Sequence, residues 1–275
     1  MDEGFSLLGL NQELCEETLD EGETQEVKHF VFEDLLDSQE KLKCKRLKVN
    51  DLFSTFVYLL EKRKDSFFSR EEVKTLGCYL GYAGGTLYTF EDFNFKINSL
   101  EEFTLLTEAV EVTTGTTFHF ELCNLCQLPT QLSGELELLL SIYSNSVRQI
   151  PPLTHFDQIA DENREVLKMA VKGNSKAYEK LERELGEEEA ERLVREFKVR
   201  PEQLFDTCIL SQEDNYNVVG VVISVKEVEL KKKKLQSIDL FAEEFELTVL
   251  TPAEHNFKEG ERVALNGKMF ALAAV

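Results

Sequence analysis

The stretch that decides the fold is Phe257-Lys258-Glu259-Gly260-Glu261-Arg262-Val263-Ala264-Leu265-Asn266-Gly267-Lys268-Met269-Phe270. Gly260 and Asn266-Gly267 predict tight turns within it, and Asn-Gly between apolar runs is a strong signal for a β-hairpin. A long valine-rich run, Val218–Glu229, and two shorter apolar runs, Leu235–Phe241 and Phe245–Leu250, come before it. Together these runs predict five strands that are separated by short turns.

This strand order resembles that of five-stranded OB-type barrels, and an SH3-like barrel would follow much the same pattern. Gly220 stands near the start of the first long strand, where a glycine would relieve the bend that such a barrel needs. The resemblance implies an all-β C-terminal small barrel, OB-like or SH3-like, over residues 213–275.

A helical segment is predicted before the barrel. Ile150-Pro151-Pro152 continues neither a helix nor a strand ladder and therefore marks a boundary. Apolar stripes at helical spacing between residues 157 and 200 predict three short amphipathic helices, which Gly173 and Gly186 separate. We interpret residues 157–212 as a short helical connector between two folded domains.

Residues 1–156 predict an α+β domain, because strands and capped helices follow one another there in irregular order. Helices are expected for Leu52–Leu60, which has apolar residues at helical spacing, and after the capping boxes that start at Ser69 and Ser99. Strands are expected at Val27–Phe32, Thr86–Phe90, Thr116–Cys123 and Glu135–Tyr143. Lys41–Lys48 predicts either a strand or a turn.

The chain is strongly acidic, which limits its partners and its location. It has 275 residues with 52 acidic and 31 basic ones, and residues 1–156 alone carry a formal charge of −14. Such a field repels phosphate backbones, so we do not expect residues 1–156 to bind nucleic acid. No apolar run approaches the ~18–20 residues of a membrane span, and the acidic start lacks the pattern of a secretory signal. We therefore expect a cytoplasmic protein without membrane association, with its six cysteines reduced and mostly buried.

Residues 162–270 are similar to the C-terminal half of certain uncharacterised bacterial proteins of comparable length. The matching features are Lys172-Gly173-Asn174-Ser175-Lys176-Ala177-Tyr178, Pro201-Glu202-Gln203-Leu204-Phe205-Asp206 and Tyr216-Asn217-Val218-Val219-Gly220. The resemblance implies a bacterial, cytoplasmic setting and the order of the domains, and it implies no particular chemistry.

Cys123-Asn124-Leu125-Cys126 is the sharpest chemical motif in the chain. Two thiolates at this spacing can share a Zn²⁺ ion, with His119 as a third ligand, or they can act as a redox pair. A closed zinc site needs four ligands and the chain has no second CxxC, so buried or turn cysteines are the competing interpretation. The chain contains no motif of a hydrolase, so the sequence favours neither an enzyme nor a cofactor.

The basic run Lys231-Lys232-Lys233-Lys234 is a candidate ligand-binding edge, because the loop after the first strand of OB-type barrels commonly binds ligands. A solvated hairpin tip is the competing interpretation. From all these features we expect a non-catalytic binding or adaptor module with a protein partner. Single-stranded nucleic-acid binding through the barrel is one alternative, and a Cys-dependent metal or redox protein is another.

Overall fold

The computed structural model describes residues 3–62, 72–97, 99–130, 132, 134–253 and 256–274. The strands are β1 (Glu23–Glu26), β2 (Glu40–Lys48), β3 (Phe53–Lys62), β4 (Glu72–Tyr82), β5 (Thr86–Phe95), β6 (Leu106–Glu111), β7 (Thr117–Leu122), β8 (Leu136–Tyr143), β9 (Arg148–Ile150), β10 (Cys208–Gln212), β11 (Asn215–Leu230), β12 (Lys233–Ala242), β13 (Phe245–Pro252) and β14 (Arg262–Ala273). The helices are α1 (Glu3–Leu7), α2 (Glu13–Glu21), α3 (Gln158–Glu162), α4 (Arg164–Val171), α5 (Ser175–Leu185), α6 (Glu187–Val199) and α7 (Pro201–Leu204). Two 3-10 turns lie at Phe30–Phe32 and Leu125–Gln127.

Eight of the strands close a barrel. Their order around the ring is β11, β12, β13, β8, β5, β6, β7 and β14, and β14 pairs again with β11. β13 runs parallel to β8 and β14 runs parallel to β7, while the other neighbours in the ring are antiparallel. β8 and β14 also pair directly with each other, which pinches the ring along these two strands. Both halves of the chain therefore contribute strands to one barrel.

The predicted fold class, an α+β domain followed by a helical connector and a separate small C-terminal barrel, is wrong. The strands expected after residue 213 do form, but they close only together with β5–β8 from the first half of the chain. Asn266-Gly267 makes no turn, because β14 runs through it. A side chain at Gly267 would place its Cβ 2.5 Å from a methyl carbon of Ile142 on β8, so the glycine permits close strand approach instead. The division of the chain at residues 156 and 212 stays a prediction.

The strands β1–β4 form a second, antiparallel sheet in sequence order. On one face the sheet carries α2, to which it is joined by a Cys15–Cys78 disulfide and a hydrogen bond between the hydroxyls of Thr18 and Thr55. Its other face packs on the barrel, where the Tyr143 hydroxyl of β8 donates to a carbonyl of β4 at 2.8 Å. The sheet and the barrel share one continuous apolar core.

Two regions that were predicted as helices are strands. All of the run Leu52–Leu60 except the exposed Leu52 lies in β3, where most of its residues are buried, and periodicity cannot separate such a run from a buried helix. The helix expected after Ser69 is replaced by β4, although Ser69 itself lies outside the described residues. The Ser99 hydroxyl does accept the N–H of Glu102 at 3.1 Å, but no helix follows and β6 begins at Leu106.

The strand predictions have mixed outcomes. Lys41–Lys48, Thr86–Phe90, Thr116–Cys123 and Glu135–Tyr143 fall largely within β2, β5, β7 and β8. Val27–Phe32 is not a strand, because it leaves β1 as irregular backbone and ends in a 3-10 turn.

The helices predicted between residues 157 and 200 are present as α3 to α6, but they do not connect separate domains. Their buried residues form a second core with Val219 of β11 and Ala264 of β14, on the outside of the barrel. Arg262 holds this layer in place, because its guanidinium is only 7% exposed and donates to the carbonyls of Pro151 and Phe205. None of the described helices has both the length and the hydrophobicity that a membrane crossing requires.

Candidate functional site

A row of four residues crosses the barrel-facing side of the four-stranded sheet. Gln25 on β1 lies opposite Cys44 on β2, Cys44 lies opposite Tyr58 on β3, and Tyr58 lies opposite Gly77 on β4. Residues that are directly opposite in antiparallel strands point to the same face, so these side chains share one line. The 3-10 turn that follows β7 of the barrel brings Cys126 onto this line.

Cys126 is held on the row by hydrogen bonds to two of its members, Tyr58 and Gln25. Its backbone N–H donates to the Tyr58 hydroxyl at 3.2 Å, and its carbonyl accepts the side-chain amide of Gln25 at 2.6 Å. The Tyr58 hydroxyl donates in turn to the carbonyl of Cys123 at 3.0 Å. The Cys126 and Cys44 thiols lie close enough to shift each other's pKa, and the Cys44 thiol itself donates to the carbonyl of Lys45 at 3.8 Å. The turn and the sheet thus place the two thiols beside each other.

The two thiols differ in their exposure. Cys44 and Tyr58 are fully buried, Cys126 is half-buried, and Gln25 is exposed at the edge of the sheet. The exposed Gln25 side chain is hydrogen-bonded to the backbone of Cys126, so Cys126 lies nearer to solvent than Cys44. An external reagent therefore reaches Cys126 before Cys44.

The two thiols also differ in acidity. The neighbouring Cys44 thiol lowers the pKa of the Cys126 thiol, and the polar side chains of Tyr58 and Gln25 lower it further, although burial opposes them. Burial is the main cause that raises the pKa of the Cys44 thiol, and the adjacent Cys126 raises it more. Burial likewise raises the pKa of the Tyr58 hydroxyl. The arrangement favours a thiolate on Cys126, with the protons kept on Cys44 and Tyr58.

The expectation that all six cysteines are reduced is wrong for two of them. Cys15 and Cys78 are not reduced but form a disulfide on the opposite face of the sheet, against α2. Cys44, Cys123 and Cys208 are buried and not disulfide-bonded, as expected. The cytoplasmic location stays a prediction, and the disulfide bears on it because structural disulfides are rare in that compartment.

The predicted ligand set Cys123, Cys126 and His119 does not converge on one point. The Cys123 thiol donates to a carbonyl of β4 at 3.5 Å, and the His119 Nε2 atom lies 2.9 Å from the carboxylate of Glu108. Cys126 lies beside Cys44 instead. Within the described part of the chain, no three or more His, Cys, Asp or Glu side chains are grouped so that they could hold a metal ion.

The lysine run 231–234 is largely engaged with other parts of the chain. Lys231 pairs with Glu17 of α2, and Lys233 donates to the carbonyl of Gly9 after α1. Lys234 pairs with Glu227 on the neighbouring strand at 2.8 Å. The turn between β11 and β12 therefore faces the N-terminal helices, and its role as a ligand-binding edge stays a prediction.

Cys44, Tyr58 and Gln25 are the site residues that the sequence analysis missed. Cys44 stands within a basic stretch, two positions after Leu42. This spacing places both residues on the same face of a strand and is the only local indication that Cys44 is buried. No sequence motif links Cys44 to Cys126, because Cys44 lies on β2 of the four-stranded sheet and Cys126 lies on the turn that follows β7 of the barrel. Tyr58 carries no local signal, because it stands in a run of apolar neighbours.

Comparison with known proteins yields no relative from which a function could be transferred. No protein family, no curated protein and no solved structure matches the chain. The chemistry of the site is therefore inferred from its own residues.

Proposed function

We propose that this protein is a thiol–disulfide redox protein in which Cys44 and Cys126 are the working pair. The observation that carries the proposal is the position of Cys126 beside Cys44: the Gln25 and Tyr58 side chains, which flank Cys44 on the neighbouring strands, both hydrogen-bond to the backbone of Cys126. Of the alternatives considered from sequence, this juxtaposition of two thiols supports the Cys-dependent redox protein. The substrate class is a small, flexible disulfide that can reach the half-buried Cys126.

The reaction is a balanced thiol–disulfide exchange. The Cys126 thiolate attacks one sulfur of a small disulfide, so that a mixed disulfide forms on Cys126 and one thiolate leaves and takes up a proton. The sulfur of Cys44 then attacks the sulfur of Cys126 and displaces the second thiolate of the substrate. The proton that Cys44 loses is taken up by this second thiolate, which is released as a thiol. Two protein thiols are oxidised to one disulfide, and the small disulfide is reduced to two thiols.

Each residue of the site has a distinct part in this exchange. Cys126 is the attacking group because it is the more exposed thiol and has the lowered pKa. Cys44 is the resolving group, because it is buried beside the sulfur it must attack. Tyr58 is a positioning residue, since its hydroxyl fixes the turn that carries Cys126.

The Cys15–Cys78 disulfide supports the proposal through the redox conditions that it requires. It joins helix α2 to strand β4, on the face of the sheet opposite to Cys44. Formation of the Cys15–Cys78 bond requires an oxidant, which is also what the proposed exchange requires.

The test is the oxidation of the folded protein by glutathione disulfide, followed by peptide mapping with mass spectrometry. We expect the loss of two of the four unbonded cysteine thiols and a new Cys44–Cys126 linkage. In Cys44→Ser the reaction should stop at a glutathione adduct on Cys126, because no resolving thiol remains. In Cys126→Ser, Cys44 should stay unmodified, because it is buried.

Cys208→Ser is the matched control, because Cys208 is also a buried, unbonded cysteine but lies in the helical layer. It should form the Cys44–Cys126 linkage at the rate of the unmodified protein. A Cys123–Cys126 linkage, or the absence of any linkage in protein that circular dichroism shows to be folded, would overturn the proposal. Should Cys44→Ser fail to fold, Cys44→Ala provides the same arrest with an apolar side chain.

A further inference from the structure

Residues 25–32, which we call the strap, lie against the segment that carries Cys126. The strap is joined to that segment by two hydrogen bonds. The Gln25 side chain donates to the Cys126 carbonyl at 2.6 Å, and the Phe30 N–H donates to the Thr130 carbonyl at 3.1 Å. Movement of the strap away from the barrel would break both links beside the half-buried Cys126.

His29, in the middle of the strap, is buried without a polar partner. It is 2% exposed, and neither ring nitrogen has a hydrogen-bond partner among the described residues. Its ring centroid lies 4.8 Å from that of Phe30 and 5.1 Å from that of Phe95 at the end of β5. A neutral imidazole is tolerated between two aromatic rings, whereas an imidazolium there would lose its hydration without compensation.

The charged groups near His29 are already paired with one another. On the strap, Lys28 pairs with Glu26 at 3.7 Å. Next to Phe95, Lys96 pairs with Glu108 at 2.8 Å, and the segment Leu128–Thr130 that the strap touches carries no charge. Burial is accordingly the cause that lowers the pKa of His29 to about 4. A protonated His29 is stabilised by moving into water, which requires the strap to open.

We infer that the strap is a pH-sensitive cover, which opens when His29 is protonated and exposes Cys126 to disulfide substrates. The inference rests on the proposed function, because it describes regulation of the same thiol. An open strap binds a proton with an ordinary histidine pKa, and the closed strap resists protonation, so acid favours the open form. With the closed-state pKa near 4, the open population should rise about 20- to 30-fold between about pH 7.5 and about pH 5.

The test measures the exposure of Cys126 in the Cys44→Ser variant, where no internal disulfide can form. The probe is a dipyridyl disulfide, which reacts with thiols in acid as well as at neutral pH. The rate at Cys126 is divided by the rate of an unstructured cysteine peptide at the same pH. His29→Phe in the same background retains the apolar contacts but cannot be protonated, so its normalised rate changes only through the lowered pKa of the Cys126 thiol. The rise in the protein that keeps His29 should exceed the rise in His29→Phe about 20- to 30-fold over this range. Equal rises in the two proteins would overturn the inference.

A second measurement separates this inference from the proposed function and needs no variant. Hydrogen exchange of the Phe30 amide, corrected for the intrinsic effect of pH, should quicken in acid while the amides of β8 stay protected. If the Phe30 amide quickens and no Cys44–Cys126 disulfide forms, the redox proposal fails and the strap inference stands. If the disulfide forms and the Phe30 amide keeps its protection in acid, the strap inference fails and the redox proposal stands.

Discussion

Cys126 lies beside Cys44 of the four-stranded sheet, where each thiol shifts the pKa of the other, although Cys123 is only three positions away from Cys126 in the chain. Cys123 directs its sulfur to a carbonyl of β4, so the CxxC spacing does not define the pair. The Tyr58 hydroxyl bridges both ends of the motif, since it accepts from the Cys126 N–H and donates to the Cys123 carbonyl. One tyrosine therefore decides which cysteine faces Cys44.

Replacing Tyr58 with Phe should raise the pKa of the Cys126 thiol and slow the formation of the Cys44–Cys126 disulfide. The change leaves a buried N–H and a buried carbonyl without their partner, which should cost about 1–3 kcal/mol of unfolding free energy. The pH dependence of iodoacetamide alkylation at Cys126 measures the pKa.

Tyr216→Phe is the control for Tyr58→Phe. The buried Tyr216 hydroxyl also bridges two backbone groups, those of His119, at 3.0 and 3.1 Å. This variant should lose similar stability and leave the reactivity of Cys126 unchanged. If both variants alter Cys126 equally, Tyr58 has no specific effect on the thiol.

Protonation of His29 should make the protein less stable in acid. The folded-state pKa of about 4 lies below the ordinary value of 6.5, so between these values the unfolded chain binds more protons than the folded one. Stability should therefore fall as the pH drops from 6.5 towards 4, by at most about 3 kcal/mol from this group.

Urea unfolding at a series of pH values measures this effect. His29→Phe should reduce the loss of stability over this interval, whereas the same change at the exposed His155 should not. Parallel stability curves for His29→Phe and the unmodified protein would show that His29 does not titrate in this way.

Removal of the Cys15–Cys78 disulfide should lower the unfolding free energy by roughly 2–4 kcal/mol, because the bond closes a loop with a sequence separation of 63 residues. Denaturant unfolding of the double variant Cys15→Ser, Cys78→Ser gives the value. Addition of a reductant should destabilise the unmodified protein by the same amount and leave the double variant unaffected. If the reductant lowered the unfolding free energy equally in the unmodified protein and in the double variant, the loss of stability would not come from the Cys15–Cys78 bond.

Loss of the Arg262 guanidinium should loosen the helical layer from the barrel. Arg262→Met leaves the carbonyls of Pro151, Glu202 and Phe205 without their donor, which should cost about 3 kcal/mol or more. Limited proteolysis should then cut sooner near Pro151-Pro152 or Gln212–Asn215, the boundaries expected from sequence. A first cut within β11–β13, or no change relative to the exposed-site control Arg195→Met, would contradict this.

The lysine run offers a test of the nucleic-acid alternative. We expect single strands to bind more weakly than ~100 µM at ~150 mM salt, because the acidic first half opposes phosphate. Replacement of Lys231–Lys234 by Gln should leave the protein folded, since the exposed pairs to Glu17 and Glu227 are worth little. Micromolar, salt-sensitive binding that this variant abolishes would favour the nucleic-acid alternative.

The elements whose signals are local follow from the sequence. The breaks expected at Gly173 and Gly186 are present between α4, α5 and α6, and Gly186 adopts a φ of 88° that few other residues tolerate. The first of the three predicted helices is divided at Asn163 into α3 and α4, and Asn174 caps α5 by accepting the N–H of Ala177. The strands β11, β12 and β13 follow from valine-rich and alternating runs that are joined by short turns.

The tertiary structure alone decided how the barrel closes and which thiols meet. β13 pairs with β8 and β14 pairs with both β8 and β11, across long stretches of chain, and no local pattern encodes such pairings. Asn266-Gly267 is a further example. Its sequence predicts a hairpin turn, but β14 continues through it because Gly267 packs closely against Ile142 of β8. Cys44 meets Cys126 for the same physical reason: the sheet and the barrel bury their apolar faces against each other, and this packing places the two thiols beside each other.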